Sequence, residues 1–114
     1  MAVLKRFVVD EDSMRPALEP GDGLVAVPLR RARVGAICVV RNPACPSMWL
    51  VKRVVAGPGT TVETTGGSWV VGDGEMFVLS DDRSITRADS RRFGPLPCRG
   101  AYRVVLRVPR RLMG

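Results

Sequence analysis

One lysine and one serine carry the first chemical question in this sequence. Arginines number sixteen and lysines two, Lys5 and Lys52, and there is no histidine. A Ser-His-Asp triad is therefore excluded, and an activated serine would need another base. A free lysine has a pKa near 10.4, so only about one in a few thousand is neutral at pH 7. Burial among apolar groups lowers that pKa by up to about 3–5 units, which turns the amine into a usable base. Arginine cannot replace it, because its guanidinium does not deprotonate in proteins. Lys52 lies in the run "MWLVKRVV", where strand alternation puts Leu50, Lys52 and Val54 on one face. Its neighbours on that face are aliphatic. The same residue could also be an edge-strand lysine whose stem covers apolar surface while its amine reaches water.

The serine is Ser13, in "DSMRPALEPGD". Pro16 restricts the residue before it to extended conformations, so Ser13 and Met14 belong to a stiff segment. Stiffness helps a nucleophile, which must be held at attack distance. Taken alone, Asp, Ser and Pro are ordinary turn residues. The sequence contains no phosphate loop and no GxSxG elbow.

The elements that must position these groups are mostly strands. At 114 residues and 46% hydrophobic content, the chain reads as one compact domain, 1–114. Twelve glycines and nine prolines interrupt it too often for long helices. Strands are expected at 4–9, 23–27, 36–41, 48–55, 61–64, 68–71, 76–79 and 101–108, with "NPACPS" and residues 80–99 as loops. The fold class is mostly β: coiled antiparallel sheets forming a sandwich or a partly open barrel.

The formal charge is +7, with nine arginines between Arg83 and Arg111. Such a surface suits an anionic partner. Aromatics are only 5%, which leaves few stacking platforms and argues against nucleic acid. Cys38 alternates with apolar residues and reads as core. Cys45 and Cys98 lie beside prolines, where a disulfide between them could form. Three cysteines without histidine make no zinc set, and no metal or other cofactor is expected. No run of 18 apolar residues is present, and "MAVLKRFVV" is too short for a signal peptide, so neither a transmembrane segment nor an anchor is expected.

Three ordered segments resemble the type I signal peptidase family. "VVDEDSMRPALEPGDGLVAV" is similar to its Ser-Met-x-Pro turn followed by Leu, Gly-Asp and a strand. "LVKRVVAGPG" is similar to its Val-Lys-Arg-Val-Val segment. "GEMFVLSDDRSITRADSRRFGPLP" resembles the segment usually written Phe-Val-x-Gly-Asp-Asn, then Asp-Ser-Arg, then Gly and Pro. The likeness runs over residues 7–108.

The resemblance implies a serine endopeptidase with a Ser13/Lys52 dyad that cuts signal peptides or propeptides after small residues. Asp12, Met14 and Pro16 would set the geometry of the serine. Arg53, Asp81, Thr86, Asp89, Ser90 and Arg91 would support the site around the lysine. The expected partner is a protein substrate, with peripheral contact to the plasma membrane for a signal peptidase. A cytoplasmic location would suit a dedicated maturation protease, like the short relatives that trim the nickel superoxide dismutase precursor. The self-cleaving LexA type shares the Ser/Lys logic, but "DSRRFG" argues against it. Four positions depart from the family pattern. Glu11 stands where Gly or Ser is usual, and Ser80 and Asp82 flank Asp81 in place of Gly and Asn. Thr86 or Arg87 stands where the family has a helper serine near the lysine. These departures raise the alternative of an impaired pseudo-peptidase that binds extended peptides by strand addition.

Overall fold

The computed structural model describes residues 3–112. Valine-rich, β-branched runs with polar or glycine punctuation give nine strands. These are β1 (Lys5–Val8), β2 (Gly23–Pro28), β3 (Ile37–Asn42), β4 (Cys45–Ala56), β5 (Thr61–Thr64), β6 (Gly67–Val70), β7 (Glu75–Leu79), β8 (Leu96–Pro97) and β9 (Tyr102–Val108). Seven of them form one antiparallel sheet in the order β1-β2-β9-β3-β4-β7-β8, and β5-β6 is a separate hairpin. The sheet is open, ending on β1 and β8, so it does not close into a barrel.

It coils strongly all the same. Phe7 of β1, Trp49 of β4 and Tyr102 of β9 meet edge to face, with centroids 5.2–5.8 Å apart. Three strands separate β1 from β4 in the sheet order. Only a strongly twisted sheet brings those two side chains together. The face they share also buries Val9, Met14, Leu18, Leu24 and Val39. The opposite face buries Cys38, Val40, Leu50, Val54, Met76 and Val78. A third cluster of Ala56, Val71, Phe77 and Leu79 seats the β5-β6 hairpin through Trp69.

The structure differs from the sequence expectations in several places. "NPACPS" is not a loop but a tight hairpin. Asn42 pairs with Cys45, the Asn42 side chain accepts from Ala44 N, and Arg41 donates to the Pro46 carbonyl at 2.8 Å. β4 therefore starts at Cys45, and Pro46 is tolerated because that half of β4 pairs on one side only. Residues 80–99 include a one-turn helix, α1 (Ser90–Phe93), and the short β8. Four residues are too few for helical periodicity to register in a sequence. The Cys45–Cys98 disulfide is not formed: all three cysteines are free, with Cys45 exposed on β4 and Cys98 in the core beside Cys38.

Candidate active site

Ser13 sits on the turn between β1 and β2, and three ties hold that turn. Asp82 N donates to the Ser13 carbonyl at 2.7 Å, and Asp81 N donates to Met14 Sδ at 3.5 Å. At the far end, Asp22, 1% exposed, accepts from Glu19 N, Arg107 Nε and Arg110 N at 2.8–2.9 Å. The burial of Asp22 acts to raise its pKa, but these donors outweigh it and hold the carboxyl below its ordinary value. Leu18 and Met14, both 1% exposed, fill the space under the turn. The Arg15–Pro16 peptide is cis.

Lys52 is brought in by β4. Alternation places it on the face that also buries Leu50 and Val54, opposite Cys38 on β3. It is 1% exposed, and its Nζ donates to Ser80 Oγ at 2.8 Å. Burial pushes its pKa below 10.5. The charges of Asp89 and Glu11 act the other way, and that of Arg91 adds to the lowering. Removal from water is the dominant cause, and it favours the neutral amine. Cys38 is pushed up to about 12 by the same burial, so its thiol stays protonated.

Ser13, 3% exposed, and Lys52 line one cavity of about 370 Å³ together with Phe7, Val8, Asp10, Glu11, Met48 and Trp49. Among the described residues, neither the Ser13 hydroxyl nor its backbone N–H has a hydrogen-bond partner. The cavity runs between residues 7–14 and residues 47–52. Among the described residues β1 pairs only with β2, and β7 pairs with β4 only from Arg53 onward. Two free strand edges thus border the groove, and an extended peptide could hydrogen-bond to them.

The remaining sequence candidates form the support. Arg53 grips Asp81 through Nε and Nη2 at 2.9 and 2.7 Å and donates Nη1 to the Gly35 carbonyl. Asp89, fully buried, caps α1 and accepts from Ser80 N at 3.1 Å and from Arg91 N, Nε and Nη2. Burial acts to raise the Asp89 pKa, but these bonds outweigh it and hold the carboxyl below its ordinary value. Ser90 Oγ accepts from Val78 N at 2.9 Å. Two candidates lie elsewhere. Asp12 is paired with Arg15 at 2.7 Å on the exposed side of the turn. Thr86 Oγ1 accepts from Ala88 N, and the Thr86 carbonyl accepts from Arg91 Nη2; neither reaches the lysine. The hydroxyl against Lys52 is that of Ser80, which the sequence offered only as a departure from the family pattern. Asp22 was missed as well, because "PGD" reads as a turn and its partner is 85 residues away.

A coiled antiparallel β-sheet thus holds a buried serine and a buried lysine that line one cavity. The family model for signal peptidase, peptidase S26, matches residues 1–71, and the chain belongs to that family. It is 31% identical to "Probable signal peptidase I-1" of Synechocystis sp. (strain ATCC 27184 / PCC 6803 / Kazusa), over 85% of this chain and 69% of that protein. Family membership supports a peptidase acting on protein substrates. Among the described residues no helix is long and apolar enough to cross a membrane.

Proposed function

We propose that residues 1–114 are one catalytic domain, an endopeptidase in which Ser13 is the nucleophile and Lys52 the general base, cutting signal peptides or propeptides after small residues. The observation that carries this reading is the shared cavity: the serine with an unengaged hydroxyl, and the lysine whose burial favours the neutral amine. One N–H of Lys52 is committed to Ser80, which leaves its lone pair free to turn toward the groove. Ser13 Oγ attacks the scissile carbonyl carbon as its proton passes to Lys52 Nζ, and a tetrahedral oxyanion forms. The free Ser13 N–H is suited to that oxyanion, a donor worth about 3 kcal/mol in comparable sites. Collapse breaks the C–N bond, and Lys52 delivers its proton to the leaving amine. Water, deprotonated by the same lysine, then hydrolyses the acyl-serine.

Exposed Val8 and Met48 along the groove suit shallow contact with a lipid surface. A maturation protease would share the chemistry without that contact. Peptides with alanine at the small-residue positions test the mechanism. Ser13→Ala and Lys52→Met each abolish cleavage, and persistent cleavage by either variant overturns it. Glu11 at the groove mouth favours the other reading, a pseudo-peptidase. Peptide binding without labelling by a serine-directed acylating inhibitor would establish that alternative.

A further inference from the structure

The charge around the groove runs against that of the whole chain. The protein carries +7, yet the charged side chains lining the cavity besides Lys52 are Asp10 and Glu11. Among the described residues, neither forms an ion pair or a side-chain hydrogen bond. By contrast Asp12, Asp22, Asp81 and Asp89 each hold an arginine. Glu63 and Asp73 are likewise unpaired, but Asp10 and Glu11 are the two such carboxylates that line the cavity. Among the described residues Lys52 forms no ion pair with either, its Nζ donating to Ser80.

Trp49, which also lines the cavity, already has cations of this chain over its ring. Lys5 Nζ lies 4.8 Å from the Trp49 ring centroid and 5.4 Å from that of Tyr102, and the Arg41 guanidinium lies 4.1 Å from Trp49. A further cation is repelled there and drawn toward Asp10 and Glu11. Covering two carboxylates with a neutral peptide strips their water with no return. A peptide that brings its own cation supplies the missing partner. Ser13, buried with its hydroxyl unpartnered and facing the same cavity, fixes where the cut falls. Glu11 is two residues from it.

We propose that Asp10 and Glu11 select substrates carrying a lysine or arginine next to the scissile bond. This specificity rests on the Ser13/Lys52 peptidase reading. A carboxylate beside the developing oxyanion opposes its charge, and a substrate cation between the two offsets that.

The test uses the full chain and fluorogenic peptides with alanine at the small-residue positions. The peptides differ only in a Lys, Gln or Glu flanking the cut. The lysine peptide is cleaved with a kcat/KM about fivefold above the glutamine peptide at low salt, the range of a partly exposed ion pair. The glutamate peptide is slowest. Salt compresses the preference, and the combined Asp10→Asn, Glu11→Gln variant removes it. Equal cleavage of the lysine and glutamine peptides by the wild type, or a preference that survives in the double variant, overturns the proposal. If the wild type cleaves none of the peptides, the peptidase reading fails by itself. Fluorescence anisotropy of the same peptides on the wild-type chain then decides selection: tighter binding of the lysine peptide supports it and equal binding overturns it.

Discussion

Lys52 Nζ lies 2.8 Å from Ser80 Oγ, and Ser80 N in turn lies 3.1 Å from the buried Asp89 carboxylate. The lysine is thereby fixed by a residue that is itself fixed, through an acid whose other contacts are to Arg91. Orientation passes along side chains from α1 to the base.

Removing the Ser80 hydroxyl should loosen the amine without unburying it. Ser80→Ala is expected to lower kcat about 10- to 100-fold with KM little changed, in line with the contribution of base positioning. Ser80→Thr, which keeps the hydroxyl, should recover most of the rate. A Ser80→Ala enzyme with wild-type kcat and pH profile would rule out the role.

The pH profile follows from the direction of the Lys52 shift. In the proposed mechanism the neutral amine is the base, so kcat/KM should rise with pH and level off below 10.5. Glu11 favours the protonated amine, so Glu11→Gln should move the inflection to lower pH. Stability has the same sign. An amine disfavoured when charged costs the fold most below its folded pKa, and that cost fades as pH climbs toward 10.5. Lys52→Met should therefore be more stable than the wild type near neutrality in urea unfolding, and the gap should close at alkaline pH.

Asp89 should dominate acid sensitivity. Its carboxyl is fully buried and held ionised by Arg91 and backbone donors, so the stability it confers is present above the unfolded-state pKa of about 3.9 and lost as pH falls through its folded pKa. Asp89→Ala leaves Arg91 without its partner and should cost about 3 kcal/mol, read in chemical denaturation at pH 7. Once pH falls below the folded pKa of Asp89, the variant and the wild type should converge.

Gly94 ends α1 at φ +74°, and a Cβ there would come within 2.7 Å of Trp69 Cζ3. Gly94→Ala must both strain the backbone and push the indole off the loop. A loss of about 2 kcal/mol, or roughly 10 °C in Tm, is expected in thermal unfolding. An unchanged Tm would show that the hairpin carrying Trp69 moves at little cost.

The strands were largely legible because their signal is local. Alternation in "MWLVKRVV" put Lys52 on the face with Leu50 and Val54, and the structure buries all three. The residues that position the candidate site were not legible, for a physical reason in each case. Ser80 is one more loop serine until the β4–β7 pairing sets it against Lys52. Asp22 looks like turn chemistry until β9 delivers Arg107. "NPACPS" has a loop's composition, and it becomes a hairpin through two side-chain contacts invisible to propensity. Thr86 was singled out by family register, and register says nothing about which hydroxyl a chain turns inward.

The place of β9 in the sheet bears on when the site can exist. β9 follows all the other strands in sequence, yet it lies between β2 and β3, joining the half that carries Ser13 to the half that carries Lys52. Closing that seam brings together residues some 80 positions apart, as the Asp22–Arg107 pair illustrates. Such distant contacts form late. On a ribosome, where the N-terminal part emerges first, serine and lysine are both translated long before the strand that aligns them. On the proposed Ser13/Lys52 reading, a nascent chain is catalytically silent until β9 is released.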